Sequence, residues 1–252
     1  MPSLSMPDAI ILCGGAGLRL RSVTGAVPKS MASVAGRPFL ELLIRQLNRH
    51  GFHSAILAVG YQKEIISSSL SKEAFGLHLT YAAEEAPLGT GGAVRNAADS
   101  SETETVLVMN GDSYTDVDLS KFVEAHHESK AELSIVVVAA DDRGDIGSVL
   151  IDQNGKLTRF AEKESGLNSK YYINAGIYMM SRRLLHEIPV GVQISLEKEL
   201  FPRWTEAGKD MRAFFHAGSC VDIGTPDRYQ IAQQILSDME VDLYPPAIVE
   251  EA

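Results

Sequence analysis

Four apolar runs of strand length, AIILC (9–13), SAILAV (54–59), LHLTYA (77–82) and TVLVMN (105–110), alternate with segments of helical period. A strand that is apolar on both faces has to be covered on both, and helices between such strands act as crossovers. The pattern predicts βαβ units and a largely parallel sheet with helices on each side. Between the first two runs, RPFLELLIRQLNRHG sets Phe39, Leu40, Leu43, Ile44 and Leu47 on one face, with Pro38 at the start and Gly51 just past the end, so a helix is expected there. After residue 130 the pattern changes. ELSIVVVAA, GSVLID, KLTRFAEK and YYINAGIYMMS read as strands with little helix between them and QNGK as a turn, which predicts a mixed second half. Segments 181–187, 195–207 and 225–238 read as further helices, and EVDLYPPAIVEEA as a tail. One domain over 1–238 followed by a tail over 239–252 is therefore expected.

Charge narrows the partners. Acidic residues outnumber basic ones 33 to 23, for a formal charge of −10, so the chain lacks the broad basic footprint of a nucleic-acid binder. Cations that hold an anion must be few and local. Two cysteines, Cys13 and Cys220, form neither a disulfide framework nor a metal cluster, and a reducing cytoplasm is expected. The start has no basic n-region, and no stretch approaches the ~18 apolar residues of a membrane span, so no membrane partner is expected.

Behind the first run stands CGGAGLRL. Glycines that follow a strand expose backbone N–H groups where no Cβ blocks a ligand, which suits phosphate oxygens. The dinucleotide pattern Gly-x-Gly-x-x-Gly, started at Gly15, would need its third glycine at Leu20, so NAD is disfavoured. A Walker A loop would need a glycine before Lys29, where Pro28 stands. What remains is a glycine turn with Arg19 and, about ten residues on, a lysine fixed by a proline. Two such cations would neutralise a triphosphate and its pyrophosphate leaving group, although each alone reads equally as a surface cation. Asp112, at the end of VMNGD, and Asp222, in VDIGTP, each follow an apolar strand at the sheet edge where α/β proteins bind ligands. Two carboxylates suit Mg²⁺, which fills its remaining positions with water and phosphate; as turn or helix caps they need no ligand.

Other candidates carry less. Asp116 and Asp118, in DVD, match the metal motif of glycosyltransferases that consume nucleotide sugars, but they precede a helical pattern and read better as its N-terminal cap. His126 and His127, on that helix, read as a solvated face, and Tyr171, Tyr172 and Tyr178 as packing residues of a strand. Glu162 and Lys163, in FAEKE, and Asn174, in INAGIY, supply a carboxylate and an amide for sugar hydroxyls and a lysine for a sugar phosphate.

In order, CGGAGLRL, VPKSM, EEAPLGTGGA, NGD, FAEKE, INAGIYMMS and VDIGTP resemble the motifs of the nucleotidyltransferases that make nucleoside-diphosphate sugars from a sugar 1-phosphate and a nucleoside triphosphate. Within that family they are most similar to the bacterial D-glycero-α-D-manno-heptose 1-phosphate guanylyltransferases, through AIILCGG, APLGTGGA, NGD and SLEKELFP. The resemblance implies an α/β, Rossmann-like three-layer sandwich with a mostly parallel mixed sheet, of the nucleotide-diphospho-sugar transferase type. It implies GTP and a sugar 1-phosphate as partners, Mg²⁺ as cofactor, a monomer or small homo-oligomer, and a product used in surface-polysaccharide synthesis. The family's nucleotide-binding positions fall on Leu12, Cys13, Gly14, Gly15, Gly17, Glu84, Gly89 and Thr90. Its catalytic cations fall on Arg19 and Lys29, its metal aspartates on Asp112 and Asp222, and its sugar-phosphate positions on Gly147, Glu162, Lys163 and Asn174. The chain departs from the family at Leu18, where a threonine is usual, losing one hydroxyl near the phosphates. Glu84 matches the glutamine that reads the pyrimidine in thymidylyl members. A carboxylate only accepts, and guanine offers adjacent N1–H and N2–H₂ donors, which favours GTP. The same chemistry on mannose 1-phosphate with GTP, or on an N-acetylated sugar with UTP, stays open, as does a non-catalytic sensor.

Overall fold

The first apolar run divides its side chains between two cores: Ala9 and Ile11 join one and Ile10 the other. A strand buried on both faces sits at the centre of a layered sheet. The computed structural model describes residues 5–139, 148–161, 171–218 and 220–239. In chain order come β1 (Asp8–Leu12), α1 (Arg21–Thr24), β2 (Ser33–Val34), β3 (Arg37–Pro38), α2 (Phe39–Arg49), β4 (Ser54–Val59), α3 (Lys63–Ser69), β5 (Glu73–Ala74), β6 (Leu77–Ala83) and α4 (Gly89–Ala98). There follow β7 (Thr105–Asn110), β8 (Ser113–Thr115), α5 (Leu119–Ser129), β9 (Leu133–Ala139), β10 (Ser148–Ile151), β11 (Leu157–Ala161), β12 (Tyr172–Ser181), α6 (Arg182–Leu185), α7 (Phe201–Glu206), β13 (Met211–His216), β14 (Cys220–Asp222) and α8 (Pro226–Asp238).

Among the described residues ten strands form one sheet, in which β7, β1, β4 and β6 run parallel side by side. The predicted change after residue 130 appears at β12, which pairs antiparallel with β7, β9 and β10. Helix α2 buries all five of its predicted facing residues, and Gly51, at φ +81°, turns the chain after it. Asp118 caps α5 by accepting from Lys121 N at 3.0 Å, as the cap reading of DVD required, and Thr225 caps α8. The predicted helix over 195–207 divides into a wide π turn, Leu196–Leu200, and α7. Among the described residues no helix is long and apolar enough to cross a membrane.

His126 is not on a solvated face: it is 3 % exposed, and its Nδ1 lies 2.8 Å from Ser134 Oγ on β9. The helix turns this position inward because α5 packs on β9 and β13. Burial pulls the His126 pKa from 6.5 to about 4, with the neighbouring His127 adding to the shift. An unfolded chain takes up this proton near pH 6.5, whereas the folded one resists it until about pH 4. The stability tied to neutral His126 is thus complete above pH 6.5 and lost as pH falls toward 4, to the extent of a few kcal/mol at ~1.4 kcal/mol per unit. Urea titrations of the native protein and His126→Gln across that range should show the slope flattened in the variant.

Candidate active site

Parallel strands bring their C-terminal ends to one edge, and here the ends of β1, β4, β6 and β7 surround a cavity of about 600 Å³. That is the size of a small-ligand pocket. Of the positions singled out in the sequence, Leu12, Cys13, Gly14, Gly15, Lys29, Glu84, Gly89, Thr90 and Asp112 line it.

The glycines of the opening loop do different things. A Cβ on Gly14 would collide with the Glu84 carboxylate, while one on Gly15 would meet nothing within 4 Å. Gly17, at φ +56°, adopts a conformation costly for other residues, and a Cβ there would come 3.0 Å from Lys29 Cβ. The turn therefore cradles the stem of Lys29. Pro28 opens the short 3₁₀ turn Lys29–Met31, fixing the lysine at the cavity wall. At the start of α4, Gly91 N donates to Ile194 O at 2.9 Å, and a Cβ on Gly92 would strike the Val192 carbonyl. The glycine run APLGTGGA is thus needed for a close backbone crossing.

Charges meet at one end of the cavity. The Lys29 ammonium is ion-paired with Asp112. Strand β14 pairs antiparallel with β8, setting Asp222 opposite Ser113, and Ile223 N donates to Asp112 O at 3.0 Å. A point one Cβ from Gly224 lies 2.8 Å from Asp222 Oδ1 and 3.5 Å from Lys29 Nζ. Two aspartates separated by more than a hundred positions are thereby gathered around one lysine. Asp116 and Asp118 are engaged elsewhere, with Arg49 and the cap of α5.

At the other end sits Glu84. Its Oε2 accepts from Leu88 N at 2.7 Å, while Oε1 faces the backbone of Gly14 and Gly60. Burial raises the Glu84 pKa, and the Leu88 N–H opposes the rise. Cys13 is 3 % exposed, and burial pushes its thiol up to about 12, so it lines the site as an inert neutral group.

A polar chain joins the two halves. Asn174 Nδ2 donates to Tyr178 OH at 3.0 Å, and Tyr178 OH donates to Glu197 Oε1 at 3.4 Å. Thr90 Oγ1 donates to Glu197 Oε2 at 2.7 Å. Asn174 Oδ1 accepts from Gly176 N at 2.9 Å, inside a bulge of β12 where Gly176 has φ +75°. Tyr178, read as a packing residue, is fully buried but also carries this link. Arg19 is exposed and does not line the cavity, and Leu18 beside it is 69 % exposed. Gly147, Glu162 and Lys163 lie outside the described residues.

A glycine turn, a lysine paired with one aspartate and close to a second, and a carboxylate from the end of β6 thus meet at the C-terminal edge of the parallel strands. A family model for nucleotidyl transferases matches residues 8–238. The chain belongs to the nucleotidyl transferase family. This nucleotidyl transferase is 34 % identical over 229 residues to the D-glycero-α-D-manno-heptose 1-phosphate guanylyltransferase of Aneurinibacillus thermoaerophilus, covering 91 % of this chain and 98 % of that protein. It is 33 % identical over 224 residues to the mannose-1-phosphate guanylyltransferase of Mycobacterium tuberculosis, covering 88 % of this chain but only 62 % of that longer protein. The crystal structure of HddC from Yersinia pseudotuberculosis complexed with GMP-PN superimposes with a TM-score of 0.79 at 33 % identity, covering 92 % of this chain and 100 % of that one.

The nucleotidyl transferase site also contains residues that the sequence reading passed over. Ser30, Tyr61, Asn110 and Gln193 line the cavity, and Arg21 stacks its guanidinium 4.7 Å over the Tyr61 ring. Tyr61 and Asn110 carry the same signal as Asp112, since each stands at the C-terminal end of a parallel strand. Gln193 carries no such signal, because it is brought in by the crossing of residues 192–194 over α4.

Proposed function

We propose that this chain joins a sugar 1-phosphate, specifically D-glycero-α-D-manno-heptose 1-phosphate, to GTP, giving the GDP-sugar and pyrophosphate. The observation that carries the reading is the ion pair of Lys29 and Asp112 in the wall of a cavity that Glu84 also lines, with Asp222 close behind Lys29. A non-bridging oxygen of the sugar phosphate attacks the α-phosphorus of GTP in line. The bond from that phosphorus to the β-phosphate bridging oxygen breaks, and the electron pair leaves with pyrophosphate. The nucleophile is already an anion, so no general base is needed and positioning with charge neutralisation supplies the catalysis. Lys29 holds charge at the reacting phosphate, and Arg19 joins from the exposed loop. Lys163 takes the sugar phosphate, with Gly147, Glu162 and Asn174 against the sugar.

Asp112 and Asp222 would hold Mg²⁺, which when bound neutralises phosphate charge. The donor set suits it, since both are hard carboxylate oxygens close to Lys29. Such a pair leaves metal positions for phosphate oxygens. Residues 1–238 are proposed to work as one cytoplasmic domain, supported by the single family match and the single large sheet.

Glu84 would select guanine. Its Oε1 faces Gly14, so the base edge would approach over the glycine loop, with Oε2 steadied by Leu88. The test is pyrophosphate release with Mg²⁺ across four nucleoside triphosphates against heptose, mannose, glucose and N-acetylglucosamine 1-phosphates. GTP with the heptose should dominate. A dominant signal with mannose 1-phosphate would replace the sugar, and silence in every combination alongside tight nucleotide-sugar binding would replace the enzyme by a sensor. In Glu84→Gln the preference for GTP over UTP should fall about tenfold, the worth of one hydrogen bond to a charged group. Because only the ionised carboxylate accepts both guanine donors and its pKa is raised, the GTP KM should climb as pH falls through that pKa while the UTP KM holds.

A further inference from the structure

Arg228 belongs to no motif singled out in the sequence, yet it stands beside Asp222, next to the end of the cavity that Lys29 and Asp112 line. It stands in the first turn of α8, where Thr225 caps the helix, and its Nη1 lies 3.3 Å from Asp222 Oδ1. Both side chains are largely shielded, at 18 % and 16 % exposure. The point beside Gly224 that lies 2.8 Å from Asp222 Oδ1 and 3.5 Å from Lys29 Nζ also lies 3.8 Å from Arg228 Nη1. Two carboxylates and two cations therefore meet in one corner. They are sorted into pairs, Lys29 with Asp112 and Arg228 with Asp222.

That sorting has an electrostatic consequence. Between themselves the two cations offset the two carboxylates. A divalent cation arriving alone must displace a cation from each aspartate and leaves the corner with two surplus positive charges. A metal arriving with a triphosphate brings the anion that both displaced cations can take. Arginine suits the exchange, because its planar fork matches phosphate as well as carboxylate. We propose that Arg228, paired here with Asp222, is a phosphate-binding residue that passes to a phosphate oxygen when metal and nucleotide arrive together. This rests on the reading of Asp112 and Asp222 as the metal pair.

A purely structural arginine, tying Asp222 to α8, makes a different prediction, because its loss would disturb Asp222 and weaken everything bound there. The test compares Mn²⁺ alone, Mg²⁺ with GTP, and Mg²⁺ with pyrophosphate, by calorimetry, on the wild type, Arg228→Met, Arg228→Lys and Asp222→Asn. In Arg228→Met, Mn²⁺ alone should bind about threefold to tenfold more tightly because its competitor is gone. GTP and pyrophosphate with Mg²⁺ should bind about tenfold more weakly, the loss of one charged contact. Arg228→Lys should recover most of the GTP affinity. Arg228→Gln, which keeps a donor to Asp222 without the charge, serves if the methionine variant does not fold. Affinities for metal and for nucleotide that move in the same direction, or that do not move, would overturn the proposal. Mn²⁺ binding indifferent to Asp222→Asn would overturn the metal pair itself and the proposal with it.

Discussion

Replacing Lys29 by methionine should lower kcat for pyrophosphate release by about 10²–10³, the cost of removing one preorganised charge from a transition state, and leave the fold intact. The two halves of this expectation have separate causes. The stem of Lys29 packs beside the positive-φ turn at Gly17, and methionine keeps that apolar length. Its ammonium is paired with Asp112, whose side chain is 38 % exposed, so the orphaned carboxylate turns to water at a cost below about 1 kcal/mol. Stability should therefore barely change. Catalysis should suffer because the charge on the phosphates is redistributed as pyrophosphate departs, and the group that answers it is fixed by Pro28 and the glycine turn. Lys29→Arg should recover only part of the rate, since a planar fork does not occupy the site of a compact ammonium. A kcat within tenfold of wild type in Lys29→Met, with the melting temperature unchanged, would remove Lys29 from the reacting centre.

The prominence of Lys29 also shows what a single sequence can and cannot disclose. Strand runs such as SAILAV and TVLVMN were legible to the residue because a doubly buried strand leaves a continuous apolar run. Asp112 was legible because ligands gather where parallel strands end, and the aspartate follows β7 by one glycine. The pairing of Asp112 with Lys29 was not legible, since it depends on where a 3₁₀ turn sets down a lysine 83 positions away. The arrival of Asp222 needed the β8–β14 ladder, which joins short strands too remote in sequence to register as a pattern. His126 stands at i+7 from Leu119 and on the same stripe as Phe122 and Val123, so helical period already pointed it inward; what no local pattern discloses is its partner, Ser134 on a different strand. Helix α4 escaped notice because its glycines lower helix propensity, and only the backbone crossing from residues 192–194 shows why they are there.

Alanine at Gly111 and alanine at Gly15 should fail in different ways, and together they separate fold from function. Gly111 N donates to Leu12 O at 3.1 Å, and a Cβ on Gly111 would strike that carbonyl oxygen and come 3.1 Å from its carbon. Those are backbone atoms of the central strand, in register with Asn110, and they have no rotamer to change. Gly111→Ala must therefore part β1 from β7 where they carry the glycine loop and Asp112. Overpacking of this kind costs about 1–3 kcal/mol, or a fall of about 3–10 °C in Tm for a chain of this size. Because a misplacement of ~1 Å costs about 10²-fold in rate, kcat should fall by that factor well below the melting point. Gly15 is the counterpart. A Cβ there meets no protein atom within 4 Å, and Gly15 is not among the residues of positive φ. Gly15→Ala should leave Tm unchanged or raise it slightly, since it restricts the unfolded chain by about 0.4–1 kcal/mol. The same methyl group projects into the cavity that Gly15 lines, where the backbone is expected to approach phosphate, and it should weaken GTP binding tenfold or more. Scanning calorimetry, GTP titration and the rate of pyrophosphate release on both variants decide the matter. If Gly15→Ala binds GTP as the wild type does, the phosphates do not pass over this loop; if Gly111→Ala melts and turns over normally, the β1–β7 edge is not what fixes Asp112.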